Sequence, residues 1–401
     1  MKFSPFRTVF SGLLLALILP GCSDDDQESN GETTGSDPGA VSVTQDWPLF
    51  RRNAEMQGNS LEDLKPPLKP AWKFEPPVEE GKSRFPIDAS PVISNGTVFI
   101  GSQDALFFAI DLQTGEEKWT FETDGGIKAP AGVFGETVYV GDTYGIVYAL
   151  ATADGAERWR YETDDQIEGG VNGMEIDGQL RIFIGSHDVN LYAFNTETGK
   201  PEWMHETGSP ILATPAIIEN LQAITFGGCD EFFHVVDAKR KLEPKEIQVG
   251  GNVLNTSAVR DGIAYLCHYG GVVMAIDVES GEKVWEQDTG VEYKASPAVG
   301  EKLLFVAGGD KRLVAYDRVT GDEVWAFRGR RSFDSSPVVC ESAVWIGGGD
   351  GYLYAIDPAT GKELWSYDLG TQIKASLAIS RQTLVVCGDD GVVYAFRPED
   401  S

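Results

Sequence analysis

Residues 355–365 read Ala-Ile-Asp-Pro-Ala-Thr-Gly-Lys-Glu-Leu-Trp. An Ala-x-Asp step, then Thr-Gly, then a Trp four residues past the glycine recurs along the chain with some slots altered. The repeated alanines are Ala109, Ala149, Ala193, Ala275, Ala315, Ala355 and Ala395, with Val235 in the remaining slot. Their spacings of 40, 44, 42, 40, 40, 40 and 40 residues are a near-fixed period, which marks a repeat architecture, either propeller or solenoid.

Each unit reads as four strands. In the first unit, Ala89-Ser90-Pro91-Val92 opens a strand, Asn95-Gly96 turns, and Thr97-Val98-Phe99-Ile100-Gly101 is a β-branched second strand. Gln103-Asp104 turns into Leu106-Phe107-Phe108-Ala109-Ile110, and Thr114-Gly115 turns into the strand carrying Trp119. Gly, Asn and Asp stand where hairpins need positive φ, and no helical period intervenes. Four antiparallel strands per unit predict an all-β, eight-bladed propeller. The last unit ends at Phe396-Arg397 without a Trp strand. The N-terminal strand Ala71-Trp72-Lys73-Phe74-Glu75 is expected to complete the eighth blade and so remove the open edges of the ring.

Trp119, Trp159, Trp203, Trp285, Trp325 and Trp365 each follow a turn glycine by four residues, and Trp72 is the closing strand's counterpart. A large aromatic repeated at one site per blade, against a small alanine expected in a neighbouring unit, suits docking between blades. Six equivalent copies argue for architecture over an aromatic ligand box.

At these residues the chain resembles the pyrroloquinoline-quinone-type propellers, which include quinoprotein dehydrogenases and BamB-type outer-membrane assembly lipoproteins. The resemblance covers about residues 46–397, including the lead-in Asp46-Trp47-Pro48-Leu49-Phe50-Arg51-Arg52-Asn53 and Gly58. It implies the fold closely and the function loosely, because one scaffold hosts many activities. The dehydrogenases of this fold imply a catalytic Asp, a calcium site and a disulfide between neighbouring cysteines; no two cysteines here are adjacent.

The chain divides into an expected lipoprotein signal peptide (1–21), an acidic disordered tether (22–46), a lead-in (47–70) and the propeller (71–401). Lys2 and Arg7 precede the short apolar run Leu13–Leu19, and Leu19-Pro20-Gly21-Cys22 resembles a lipobox that would acylate Cys22. Several acyl chains would anchor the protein stably where one would not. Ser23 after the cysteine favours, by resemblance, sorting to the outer membrane. Residues 23–46 hold seven acids and no base, too little apolar surface to fold.

The net charge is −29, or −31 once Lys2 and Arg7 are removed, which disfavours nucleic acid as a partner. Cys229, Cys267, Cys340 and Cys387 form no C-x-x-C, so no zinc site is expected, and free buried thiols are the plain reading. Asp104, Asp188, Asp230, Asp310, Asp350 and Asp390 occupy one turn position per blade, and Asp111, Asp237, Asp277, Asp317 and Asp357 another. Hairpin chemistry explains both sets. His187, His205, His234 and His268 fall in no paired spacing, and no nucleophile elbow or phosphate loop occurs. No catalytic residue, metal or cofactor is therefore assigned.

Two places vary where the repeats otherwise agree. The start of the first strand of each blade, beside the central channel, carries Asp88, Lys128, Glu168, Leu212, Leu254, Lys294, Asp334 and Lys374. This ring could be a funnel-mouth binding surface, with Lys128, Lys294 and Lys374 taking an anion, or simply a solvated, salt-bridged rim. Blade four reads Asp237-Ala238-Lys239-Arg240-Lys241-Leu242-Glu243-Pro244-Lys245, with neither Thr-Gly nor Trp. Lys239, Arg240, Lys241 and Lys245 are candidate partner contacts, repeat decay being the plainer alternative. Three functional readings follow: a monomeric lipid-anchored scaffold for an envelope or outer-membrane protein, a funnel binding a small molecule or glycan, and a quinone-dependent oxidoreductase.

Overall fold

Turn-forming residues at each strand end divide the chain into short β-segments that pair locally, and the computed structural model describes residues 46–399 except 79, 80 and 82. Eight four-stranded antiparallel sheets follow one another. Blade one is Val92–Ser94, Thr97–Gly101, Leu106–Asp111 and Glu117–Glu122. Blades two to seven repeat this order. Among the described residues the single helical element is the 3-10 turn Glu219–Leu221.

The ring closes as the repeat count requires. Leu68–Phe74 pairs antiparallel with Val393–Pro398, and blade eight runs from the N-terminal strand to Ala378–Ser380. The closing strand begins at Leu68, within the segment read as lead-in. The signal peptide, Cys22 and the tether up to residue 45 lie outside the described residues. Asp46, read as the last tether residue, is buried and accepts the Asn95 backbone N–H at 2.7 Å.

The Trp positions dock blades, in a geometry that differs in one respect from expectation. Each alanine faces the Trp of its own blade: Ala109 opposes Trp119, Ala355 opposes Trp365, and Ala395 opposes Trp72. Contact with the next blade runs through the turn. Trp119 Nε1 donates to Thr152 O at 3.0 Å, Trp159 to Thr196 O at 2.8 Å, and Trp285 to Arg318 O at 3.0 Å. Trp72 and Trp325 do the same at 2.9 Å, to Leu112 O and Pro358 O. The Thr-Gly step follows from this seat. A Cβ at Gly155, whose φ is +72°, would lie 2.6 Å from the Trp119 ring, so only glycine admits the indole.

Residues 46–62 play the part the sequence left open. They run under the ring and meet the blades in turn. Trp47 pairs with Ile93 of blade one, Pro48 O accepts Val133 N–H of blade two, and Ala54 O accepts Asn172 Nδ2 and Ile217 N–H of blades three and four. Glu55, Gln57 and Gly58 carbonyls accept from Val259, Val299 and Val339 of blades five, six and seven. Glu62 accepts the backbone N–H groups of Arg381 and Gln382 in blade eight, at 2.6 and 2.7 Å. The innermost strands otherwise present unpaired edge donors, and this segment satisfies them.

Candidate functional site

The positions expected to open each innermost strand lie just ahead of it, as Asp88 and Ser90 lie before Val92–Ser94, and these residues face the axis. There they enclose a cavity of about 170 Å³. Its rim is Asp88, Glu168, Leu212, Leu254, Lys294 and Asp334, and Phe50 of the lead-in also lines it. One layer below the rim lie the hydroxyls of Ser90, Thr214, Thr256, Ser296, Ser336 and Ser376. These tie blade to blade. Thr214 N–H donates to Thr256 Oγ1, Thr256 to Ser296, Ser296 to Ser336, Ser336 to Ser376 and Ser376 to Ser90, at 2.9–3.3 Å. Gly170 N–H continues the chain to Thr214, and it breaks at Pro130, which has neither hydroxyl nor N–H.

The rim residues do not converge as three lysines on one anion. Lys128 donates to Glu168 at 2.7 Å, and Lys374 pairs with Asp389 at 2.8 Å, outside the cavity lining. Of the three, Lys294 alone lines the cavity. The two leucines sit side by side on blades four and five. Glu168 also lies 3.6 Å from His187 Nε2, and with Lys128 this holds its carboxyl down to about 2. Asp88 behaves oppositely: burial pushes its pKa up, and although Gln103 donates to Oδ2, Oδ1 has no partner.

Arg51 is a residue that sequence reasoning quoted but gave no role. It is fully buried, donates through Nη2 to Pro297 O and Pro337 O at 3.1 and 2.6 Å, and has no partner for Nε or Nη1. Burial without a carboxylate lowers its pKa to about 9. A Cβ at Gly58 would lie 1.9 Å from that guanidinium, so this lead-in glycine is set by close approach.

The basic turn of blade four is largely engaged within the protein. Lys245 Nζ donates to Val278 O at 3.3 Å and also to Glu279 O. Val278 is the counterpart of the carbonyl that the tryptophans reach elsewhere. Arg240 lies over the Trp203 ring at 5.2 Å, and Lys239 pairs with Asp177 at 2.6 Å. Lys241 has no side-chain partner among the described residues.

The repeated acids are turn residues, as read. Asp188, Asp350 and Asp390 accept the hydroxyls of Tyr192, Tyr354 and Tyr394 at 2.7, 2.6 and 2.5 Å, and Asp142 holds Tyr148 in the same way. Asp111, Asp317 and Asp357 accept backbone N–H groups two and three residues ahead. Among the described residues Cys229, Cys267, Cys340 and Cys387 are free, and burial raises Cys267 and Cys340 to about 12. In the dehydrogenases of this fold, the resemblance implies neighbouring cysteines and a calcium cluster. Here no group of three His, Cys, Asp or Glu that could hold a metal forms among the described residues. The funnel's acids also oppose a polycarboxylate quinone, so the residues present do not fit that cofactor.

Tryptophan-docked blades, a shared closing blade and an axial cavity define a propeller of the pyrroloquinoline-quinone-like repeat class. Within it the chain belongs to the family described as outer membrane protein assembly factor BamB, whose model matches residues 109–229, 236–338 and 320–401. The quinoprotein alcohol dehydrogenase PedH of Pseudomonas putida is 27% identical over 240 residues, 58% of this chain and 33% of that protein. The outer membrane protein assembly factor BamB of Moranella endobia is 21% identical over 221 residues, 54% of this chain and 48% of that protein. The chain thus matches half or less of the length of these relatives. BamB from Moraxella catarrhalis superposes with a TM-score of 0.69 at 16% identity, covering 84% of this chain and 99% of that one. Quinohemoprotein alcohol dehydrogenase from Comamonas testosteroni superposes at 0.75 and 15% identity, covering 90% and 82%. At these identities the superpositions speak for the fold alone.

Proposed function

We propose that this propeller is a non-enzymatic scaffold, lipid-anchored through Cys22 to the periplasmic face of the outer membrane. It would hold another envelope protein during outer-membrane protein assembly. The observation that carries the reading is the family match along residues 109–401. The separated cysteines and the acidic funnel support it over the quinone-dependent reading, which the similarity to PedH keeps in play. The ring is closed and its lower edge is paired with the lead-in, which leaves the loops at the funnel mouth as the surface for a partner. Pull-down from detergent-solubilised envelopes tests this. A stable stoichiometric envelope partner is expected. Recovery of the protein alone, with quinone-dependent dye reduction by the purified chain, would replace the scaffold by an oxidoreductase. For the anchor, Cys22→Ala is expected to leave the membrane fraction or remain unprocessed; membrane retention after a high-salt wash would refute lipidation.

A further inference from the structure

The axial cavity is lined by more acid than base. Asp88, Glu168 and Asp334 line it against the single cation Lys294. The other two rim lysines pair with Glu168 and Asp389, and Lys374 also acts at longer range on Asp88 and Asp334. Two acceptors stand ready. Asp88 Oδ1 is buried without a partner, and Asp334 lines the same cavity with only the longer-range charge of Lys374 acting on it. Asn255, 4% exposed, lines the same cavity, and its Oδ1 also lacks a partner. A buried acceptor left unpaired carries a desolvation penalty that a donor removes.

The rest of the lining selects what kind of donor. Leu212 and Leu254 form an apolar wall across the ring from Asp88, and the aromatic Phe50 lines the cavity too. A hydrated metal ion gains nothing from two leucines and a phenyl ring. An alkyl stem gains by burying its methylenes against them. The cavity, about 170 Å³, is of the size that holds a benzene-sized molecule.

We infer that the funnel binds a primary ammonium group carried on a short apolar stem, with Asp88 and Asp334 as its charge partners and Leu212 and Leu254 against the stem. A free alkylamine and the amino-terminal residue of a polypeptide offer the same chemistry. The site does not depend on the scaffold reading, since a free amine would fill it without any protein partner.

The test uses the full-length mature chain and ligand-observed NMR titrations. The probes are butylammonium, butyrate, calcium, and a leucine-initiated peptide amide with a free or an acetylated amino terminus. Butylammonium is expected to bind and butyrate not. Asp88→Asn and Asp334→Asn should each weaken butylammonium about tenfold, the loss of one charge-assisted contact. Lys294→Gln, which removes the like charge, should bind it at least as well as the parent. Unchanged melting of these near-isosteric variants separates lost binding from lost folding. A free peptide binding more tightly than both butylammonium and the acetylated peptide identifies a chain end as the occupant; butylammonium without the peptide identifies a small amine. The inference is overturned if butyrate binds as well as butylammonium, if calcium displaces the amine, if neither amine binds, or if both Asn variants bind like the parent.

Discussion

Blade four and blade six solve one docking problem with different residues. At the junction of blades six and seven, Trp325 fills the seat, its Nε1 reaches Pro358 O, and Gly361 makes room for the ring. At the junction of blades four and five, Lys245 replaces the indole: its stem crosses the same gap and its ammonium reaches Val278 O. On the other side of blade four, the guanidinium of Arg240 covers Trp203. What the two junctions share is the hydrogen bond to the next blade's carbonyl. What differs is the apolar area buried, and that difference sets how much each junction contributes.

The largest expected effect follows. Trp325→Ala removes an indole only 9% exposed and leaves a cavity, so it should cost about 3–5 kcal/mol. Lys245→Ala removes two hydrogen bonds made by one exposed ammonium and a partly exposed stem, and should cost about 1–2 kcal/mol. Urea unfolding of both variants reads the difference. Equal losses would mean that the polar bond, not the area, holds the blades together.

The second effect is a pH dependence at the junction of blades three and four, where the His205 ring of blade three faces His234 of blade four. His205 stands where Phe121 and Phe327 stand in other blades, and His234 stands where tyrosines meet their aspartates, its Nε2 2.9 Å from Asp230. Burial first, then the neighbouring His234 and Arg240, lowers His205 to about 4, while Asp230 acts in the opposite direction. A histidine with a depressed folded value binds its proton more readily when unfolded. Its stabilising contribution is therefore complete above about pH 6.5 and is lost as pH falls toward 4, by up to about 3 kcal/mol. His205→Phe should flatten the stability profile between those limits. An unchanged slope would assign the loss to other groups.

A smaller effect separates the turns. Gly361→Ala places a Cβ 2.6 Å from Trp325 at a φ of +69°, and should cost about 1–3 kcal/mol. Arg240→Gly removes a cation over Trp203 but relieves a φ of +55°, and should fall within about 1 kcal/mol of the parent. Thermal melts of the pair suffice. A large loss at Arg240 would show that stacking on Trp203 matters more than backbone strain.

The fold was legible because period, turn chemistry and the missing Trp strand are local features, each visible in a few residues. The alanine opposite each Trp lies in its own blade and not the neighbouring one, and the sequence does not distinguish the two for a physical reason. A cross-strand pair such as Ala109 and Trp119 and a cross-blade contact such as Trp119 and Gly155 have the same sequence signature, a small residue at a fixed spacing. The rim positions recur once per unit, but which way Lys128 and Lys374 turn depends on Glu168 and Asp389. Asp389 lies outside the repeat position that was compared. The lead-in's course beneath the ring left a faint trace, since Arg51 and Gly58 gain meaning only when brought together from opposite sides of a loop.

The smallest expected effect bears on whether the basic turn of blade four does anything beyond docking. Lys239, Arg240 and Lys245 each have an internal partner, so their variants would confuse stability with recognition. Lys241 offers a clean probe: its backbone N–H donates to Asp237 at 2.6 Å and is kept in any side-chain variant. Lys241→Gln should change stability by less than about 0.5 kcal/mol, as befits an exposed residue. If the turn meets an acidic partner, the same variant should lower recovery of that partner from envelopes, and more so at low salt, where surface charges are least screened. Undiminished recovery at low salt would reduce the turn to a local replacement for Thr-Gly and Trp, and leave the funnel-mouth loops as the surface to probe.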